Sequence, residues 1–236
     1  ITIEQFKHTE NESVIDNQEL SYTEIVTISK LLNVDIKNKI CRFSNNEAVE
    51  KIIEISNKND KTYILAIGRL SNISLAINKN PNIINRIEII WLGGNSLEYG
   101  NNKEFNFMQD TTATLNVVNS NANMTIIPAK NVAIDLIIRK EELEQRLDMN
   151  KEISQYLCER FVNDSYYGIK NERVIWDISV IAYLVNKDWF ETKEIKGLSL
   201  SEDLQYYTNS GTATKSIVEK LDNDKIYDDL FEVFNK

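Results

Sequence analysis

The chain has 236 residues, with 27 Lys and Arg against 36 Asp and Glu, a formal net charge of −9. That acid excess argues against a nucleic-acid binder, whose footprint is a basic patch, and against an anionic membrane surface as partner. With 42% hydrophobic residues the chain has enough apolar side chains for a core of its own. No apolar run approaches the ~18 residues of a membrane span, and the opening ITIEQFKH lacks the basic start and apolar stretch of a secretory signal.

In chain order, residues 1–3 read as the end of a strand, and 22–32 as a helix with Ile25, Ile28 and Leu32 on one face. Ser44-Asn45-Asn46-Glu47 forms a capping box before a helical stripe of Val49, Ile52 and Ile53. Residues 63–67 are a short buried strand, 72–78 a helix stopping near Pro81, and 87–92 a second buried strand closed by Gly93-Gly94. Asp110 has the position of an N-cap for a helix through Val118, and 124–128 form another strand. Buried strands separated by helices predict an α/β fold, an open and mainly parallel sheet with flanking helices. The C-terminal half reads as mostly helical, with helices over 141–147, 153–162, 176–184 and 224–234. Between the last two, 189–214 is irregular or strand-like, and 216–221 has the composition of a strand. No repeat, linker or charge block divides the chain, so the expectation is one domain of two unequal parts over 1–236.

Cys41 and Cys158 match no zinc spacing and read as free thiols in a reducing cytoplasm. His8 is the one histidine, which excludes a His-cluster metal site and disfavours a Ser-His-Asp or Cys-His engine. Carboxylates, with or without an oxygen-ligated metal, are left as the carriers of any chemistry.

In open α/β sheets ligands bind outside the carboxyl ends of the strands. Of the loops this rule selects, after Ile67, Leu92 and Pro128, the second is the richest. It runs Gly93-Gly94-Asn95-Ser96-Leu97-Glu98-Tyr99-Gly100-Asn101-Asn102-Lys103-Glu104-Phe105-Asn106. Amides and carboxylates together donate to and accept from sugar hydroxyls. A polar surface loop in an Asn-rich protein is the plain alternative, and the G-x-G-x-x-G spacing of a dinucleotide site is absent. Trp176-Asp177 precedes the apolar helix of Ile178, Val180, Ile181 and Leu184. Its aspartate reads either as an N-cap or as a ligand carboxylate with an indole beside it.

These residues also carry a resemblance. Tyr63-Ile64-Leu65-Ala66-Ile67-Gly68-Arg69-Leu70-Ser71-Asn72-Ile73 resembles the V-A-L-G-P-L-T-N-I segment of the nucleoside hydrolases. Pro81 followed by Ile89-Ile90-Trp91-Leu92-Gly93-Gly94 is similar to that family's P-x-I and V-V-L-M-G-G. Gly100-Asn101 and Glu104-Phe105-Asn106 resemble its G-N…E-F-N sugar loop. Asp110 matches the aspartate opening the next helix, and Trp176-Asp177 with Ala182-Tyr183-Leu184 matches a late His-Asp or Trp-Asp segment. The resemblance runs over nearly the whole chain.

It implies a ribonucleoside hydrolase, releasing base and ribose by water attack on the N-glycosidic bond, with calcium as cofactor. It implies Asp177 and the main-chain carbonyl of Ile67 as metal ligands, and Asn101, Glu104 and Asn106 as ribose-binding residues. Trp176, standing where many members have histidine, implies a purine-leaning base site. The partner implied is a nucleoside or other ribose-containing small molecule, with a cytoplasmic location and room for a homo-oligomer. The family's opening D-x-D-x-x-x-D-D is not found, and Ile1-Thr2-Ile3 resembles its second strand instead. The general-base aspartate is therefore unassigned, the chain is expected to be incomplete at its amino terminus, and calcium binding is expected to be weak. The alternative is an inactive relative that binds a nucleoside, a sugar or a protein partner.

Overall fold

The computed structural model describes residues 47–163, 171–209, 211 and 213–236. The expected strand at 1–3, the helix at 22–32, His8, Cys41 and the first three residues of the capping box lie outside the described residues. The chain falls into two compact units; the first holds 47–137 and 174–227, the second 138–163, 171–173 and 228–236.

In the first unit, helix α1 (Glu47–Lys58) buries Val49 and Ile52 of the stripe read from the sequence, with Ala48 beside them, while Ile53 is half-buried. Strand β1 (Thr62–Ala66), helix α2 (Ser71–Lys79) and strand β2 (Ile87–Leu92) follow, with a 3-10 turn at Pro81–Asn85 before β2. Helices α3 (Phe105–Met108) and α4 (Thr111–Asn119) lead to strand β3 (Asn123–Ile127). The unit resumes with helix α7 (Ile178–Val185), strand β6 (Phe190–Lys196), the pair β7 (Leu198–Leu200) and β8 (Tyr206–Thr208), and strand β9 (Thr214–Leu221). The second unit contains helices α5 (Lys140–Arg146) and α6 (Glu152–Asn163). Strands β4 (Ile137–Arg139) and β5 (Glu172–Val174) and helix α8 (Asn223–Asn235) run across the boundary between units.

The five-stranded sheet has the order β1-β2-β3-β9-β6. β1, β2, β3 and β9 are mutually parallel, with Ile64 beside Ile89 and Ile89 beside Met124; β6 lies antiparallel to β9 at one edge. The mainly parallel open sheet expected from the sequence is the one observed. The reason is compositional: β2 is IEIIWL with five of its six residues buried, which suits a strand covered on both faces. α7 packs on β1 and β2. The core joins Ile64, Ile73, Ile83, Ile87, Ile89, Trp91, Phe107, Val117 and Ile126, with Leu198, Leu200 and Ile217 from the C-terminal strands.

Asp110 caps α4 as expected, accepting from the Ala113 amide at 2.9 Å and from the Ser71 hydroxyl at the start of α2. The C-terminal half adds two strands to the main sheet as well as its helices. One of them brings in an unexpected group. Lys215 on β9 is fully buried, its ammonium donating to the Ser120 carbonyl at 2.8 Å and the Ala122 carbonyl at 3.0 Å. It thereby satisfies acceptors that the end of α4 leaves open.

Candidate functional site

The parallel strands deliver three connections to one edge of the sheet, the edge where α/β folds bind ligands. Ile67 directly follows β1 and is half-buried. The next peptide is fixed by the fully buried Trp91, whose indole N–H donates to the Gly68 carbonyl at 2.8 Å. The same indole explains Gly93: a Cβ there would lie 2.2 Å from the ring. Gly94 has φ +69°, a conformation that glycine adopts without the strain of a side chain. This turn carries the chain from β2 into the polar loop.

That loop is internally cross-braced. Asn95, buried, donates from Nδ2 to the Asn101 carbonyl at 3.0 Å, and its amide donates to Asn102 Oδ1 at 3.1 Å. Asn101 Oδ1 accepts from the Lys103 amide at 2.9 Å, a local turn contact, and the residue is half-buried. The inward amide is Asn102, which is buried and donates from Nδ2 to the Leu204 carbonyl at 3.0 Å. The braces leave Glu104 at the N-cap of α3. One carboxylate oxygen, Oε2, accepts from the Gly94 and Phe107 amides, both at 3.0 Å; Oε1 accepts from the Asn106 amide at 2.9 Å. Asn106 is buried and donates from Nδ2 to the carbonyl of Leu92, the last residue of β2, at 2.9 Å.

Trp176 and Asp177 form the turn that enters α7. Trp176 is half-buried, and its carbonyl accepts from the Ser179 hydroxyl at 2.8 Å. Asp177 occupies the N-cap position but has helical backbone angles and makes no capping hydrogen bond. Its carboxylate is therefore not used by the helix. The residue is exposed. Burial pushes this carboxyl up to about 6, and the charge of Glu104 adds to the shift. Glu104 is itself raised above the usual carboxylate range by burial, against the lowering pull of its amide donors, Asn106 and Phe107 first. Two carboxylates 73 positions apart in sequence thus feel one another at the same sheet edge.

Among the described residues no group of three or more His, Cys, Asp or Glu is gathered closely enough to hold a metal ion. Calcium takes about six to eight oxygens. Asp177 and the Ile67 carbonyl fall well short of that number, so the described residues alone do not make a calcium site. Among the described residues no helix is long and apolar enough to cross a membrane.

One member of this cluster was not legible in the sequence. Tyr206, on β8, has its hydroxyl fully buried and, among the described residues, without a hydrogen-bond partner, and the charge of Glu104 reinforces burial in raising its ionisation well above the ordinary tyrosine range. Nothing in the local pattern YYT signals a contact with residues a hundred positions earlier.

An α/β sheet with a glycine turn, a braced amide loop and two carboxylates at its carboxyl edge places polar groups where such folds bind ligands. The family model described as inosine-uridine preferring nucleoside hydrolase matches residues 10–228, and the chain belongs to that family. Solved structures agree in fold. A purine-preferring ribonucleoside hydrolase from Gardnerella vaginalis superposes with a TM-score of 0.70 at 17% identity, covering 93% of this chain and 77% of the other. A plant nucleoside hydrolase gives 0.67 at 14% identity, over 87% and 74%. The inosine-uridine preferring nucleoside hydrolase from Bacillus anthracis gives 0.62 at 19% identity, over 83% and 68%.

Proposed function

We propose that this protein is a ribonucleoside hydrolase of purine-leaning preference, acting in the cytoplasm on free nucleosides. The observation that carries the reading is the charge coupling of Glu104 with an Asp177 carboxylate that the helix behind it does not use. In this reading Glu104, Asn106 and Asn101 hold the ribose. Asn106 is pinned through its amide nitrogen to the end of β2, which turns Oδ1 into the available acceptor. The carboxylates face the ring as positive charge develops on it in an oxocarbenium-like transition state. Trp176 lies against the base, where an indole covers a purine better than a pyrimidine. Asp177 and the Ile67 carbonyl are the described chain's contribution to the metal that the family implies.

The test is base release from inosine, guanosine and uridine by the purified protein, beside calorimetric binding. Glu104→Gln is expected to lower turnover about a hundredfold or more. Trp176→Ala is expected to weaken inosine binding more than uridine binding; equal losses would assign the indole to the core. Binding without any base release would instead identify a nucleoside-binding relative, and absence of both would overturn the reading.

A further inference from the structure

Asn102 is buried in the sugar loop, and both ends of its side-chain amide are used. Nδ2 donates to the Leu204 carbonyl at 3.0 Å, in the turn between β7 and β8. Oδ1 accepts from the Asn95 amide at 3.1 Å, and the main-chain carbonyl accepts from the Glu104 amide at 2.7 Å. The Asn95 amide belongs to the peptide that follows Gly94, and the Gly94 amide holds Glu104 Oε2 at 3.0 Å. A Cβ placed on Gly94 would lie 3.3 Å from Asn102 Oδ1, so the side chain is packed against that turn. Asn102 therefore meets Glu104 from two directions: through the glutamate's own main chain, and through the glycine turn that its carboxylate grips. The far end of the brace is anchored too. Leu204 has φ +65°, a conformation that side-chain-bearing residues rarely adopt, and this backbone supplies the carbonyl that takes Nδ2. At the base of the hairpin Asn119, the last residue of α4, brackets Leu200, accepting from its amide at 2.7 Å and donating to its carbonyl at 3.0 Å. A short amide suits the place of Asn102, because it meets a carbonyl and an N–H at once. Buried and satisfied at both ends, such a group specifies one arrangement of its neighbours.

We propose that Asn102 is a positioning residue for the candidate site, setting Glu104 toward the ligand by tying the glycine turn to the β7–β8 hairpin. This rests on the reading of Glu104 as a ribose-binding group, but the hold on Glu104 is testable without it. Asn102→Ala deletes both side-chain bonds and keeps the main-chain one. Amide hydrogen exchange on the full chain reads the result at Gly94, Asn106 and Phe107, which donate to the Glu104 carboxylate and not to Asn102. Their exchange is expected to quicken about tenfold while the β2 amides stay protected. Inosine binding is expected to weaken about tenfold, and Asn102→Ala is expected to cost less when added to Glu104→Gln than in wild type. Should the alanine variant not fold, Asn102→Ser, which keeps an oxygen for the Asn95 amide but cannot reach Leu204, carries the same expectations. Faster exchange at Asn95 alone, or equally along β2, makes Asn102 a structural residue and overturns the proposal. So does an inosine affinity unchanged from a wild type that binds it. If wild type fails to bind inosine, the nucleoside reading falls, while the exchange pattern still decides whether Asn102 positions Glu104.

Discussion

Asp177 separates two uses of one side chain. An aspartate that caps a helix is worth about 1 kcal/mol, lost on replacement by alanine. Here the capping bond is absent, so Asp177→Ala is expected to leave the melting temperature at neutral pH unlowered while abolishing nucleoside binding. Asp110 is the counter-example within the same unit, since it does cap and also takes the Ser71 hydroxyl. Asp110→Ala is expected to destabilise by about 1–2 kcal/mol in chemical denaturation. Gly94→Ala meets both a positive φ and the Tyr206 hydroxyl at 2.8 Å, and is expected to destabilise by at least about 1 kcal/mol.

Among the elements, those that bury a continuous apolar run were legible in the sequence. β2 was bounded at 87 and 92 because IEIIWL is flanked by Arg86 and Gly93. α7 and α8 were placed by their apolar faces to within two residues. Helix α3 escaped because four residues carry no period; what makes it a helix is the Glu104 cap, a long-range consequence of where Gly94 sits. The β7–β8 pair was left undivided within 189–214, a stretch read as irregular or strand-like, because three-residue strands have too little alternation, and Asn102 and Asn119, far away in sequence, decide its seat. For the same reason the sequence named Asn101 and Asn106 as the loop's binding amides and gave no separate role to Asn102, which braces the loop. Lys215 shows the opposite failure, a charged residue inside a parallel strand. Burial lowers its ammonium to about 8 from 10.5, so between those values the unfolded chain binds more protons. Stability is expected to rise with pH across that window, and Lys215→Met to lose the rise. The same variant strands the Ser120 and Ala122 carbonyls and is expected to destabilise at pH 7 by about 1–3 kcal/mol, read from pH-dependent melts.

At the scale of the molecule, a net charge of −9 and a carboxylate pair at the site work together. A neutral nucleoside meets no long-range barrier, whereas a 5′-phosphate brings negative charge into a negative field. Inosine 5′-monophosphate is expected to bind about tenfold more weakly than inosine, with the gap narrowing as salt is added. Charge also governs the far side of the sheet. β6 is an edge strand among the described residues, and along it Glu191, Lys193, Glu194 and Lys196 are exposed, with Lys193 near Glu219 and Lys220 near Glu191. An open strand rim is a template on which another chain can add itself. Lysines and glutamates set at this rim would have to be stripped of water, and matched charge for charge, by any incoming strand. Among the described residues the sheet therefore ends at β6 in a way that resists fibrillar growth, and refolding at high concentration has one fewer route into aggregates.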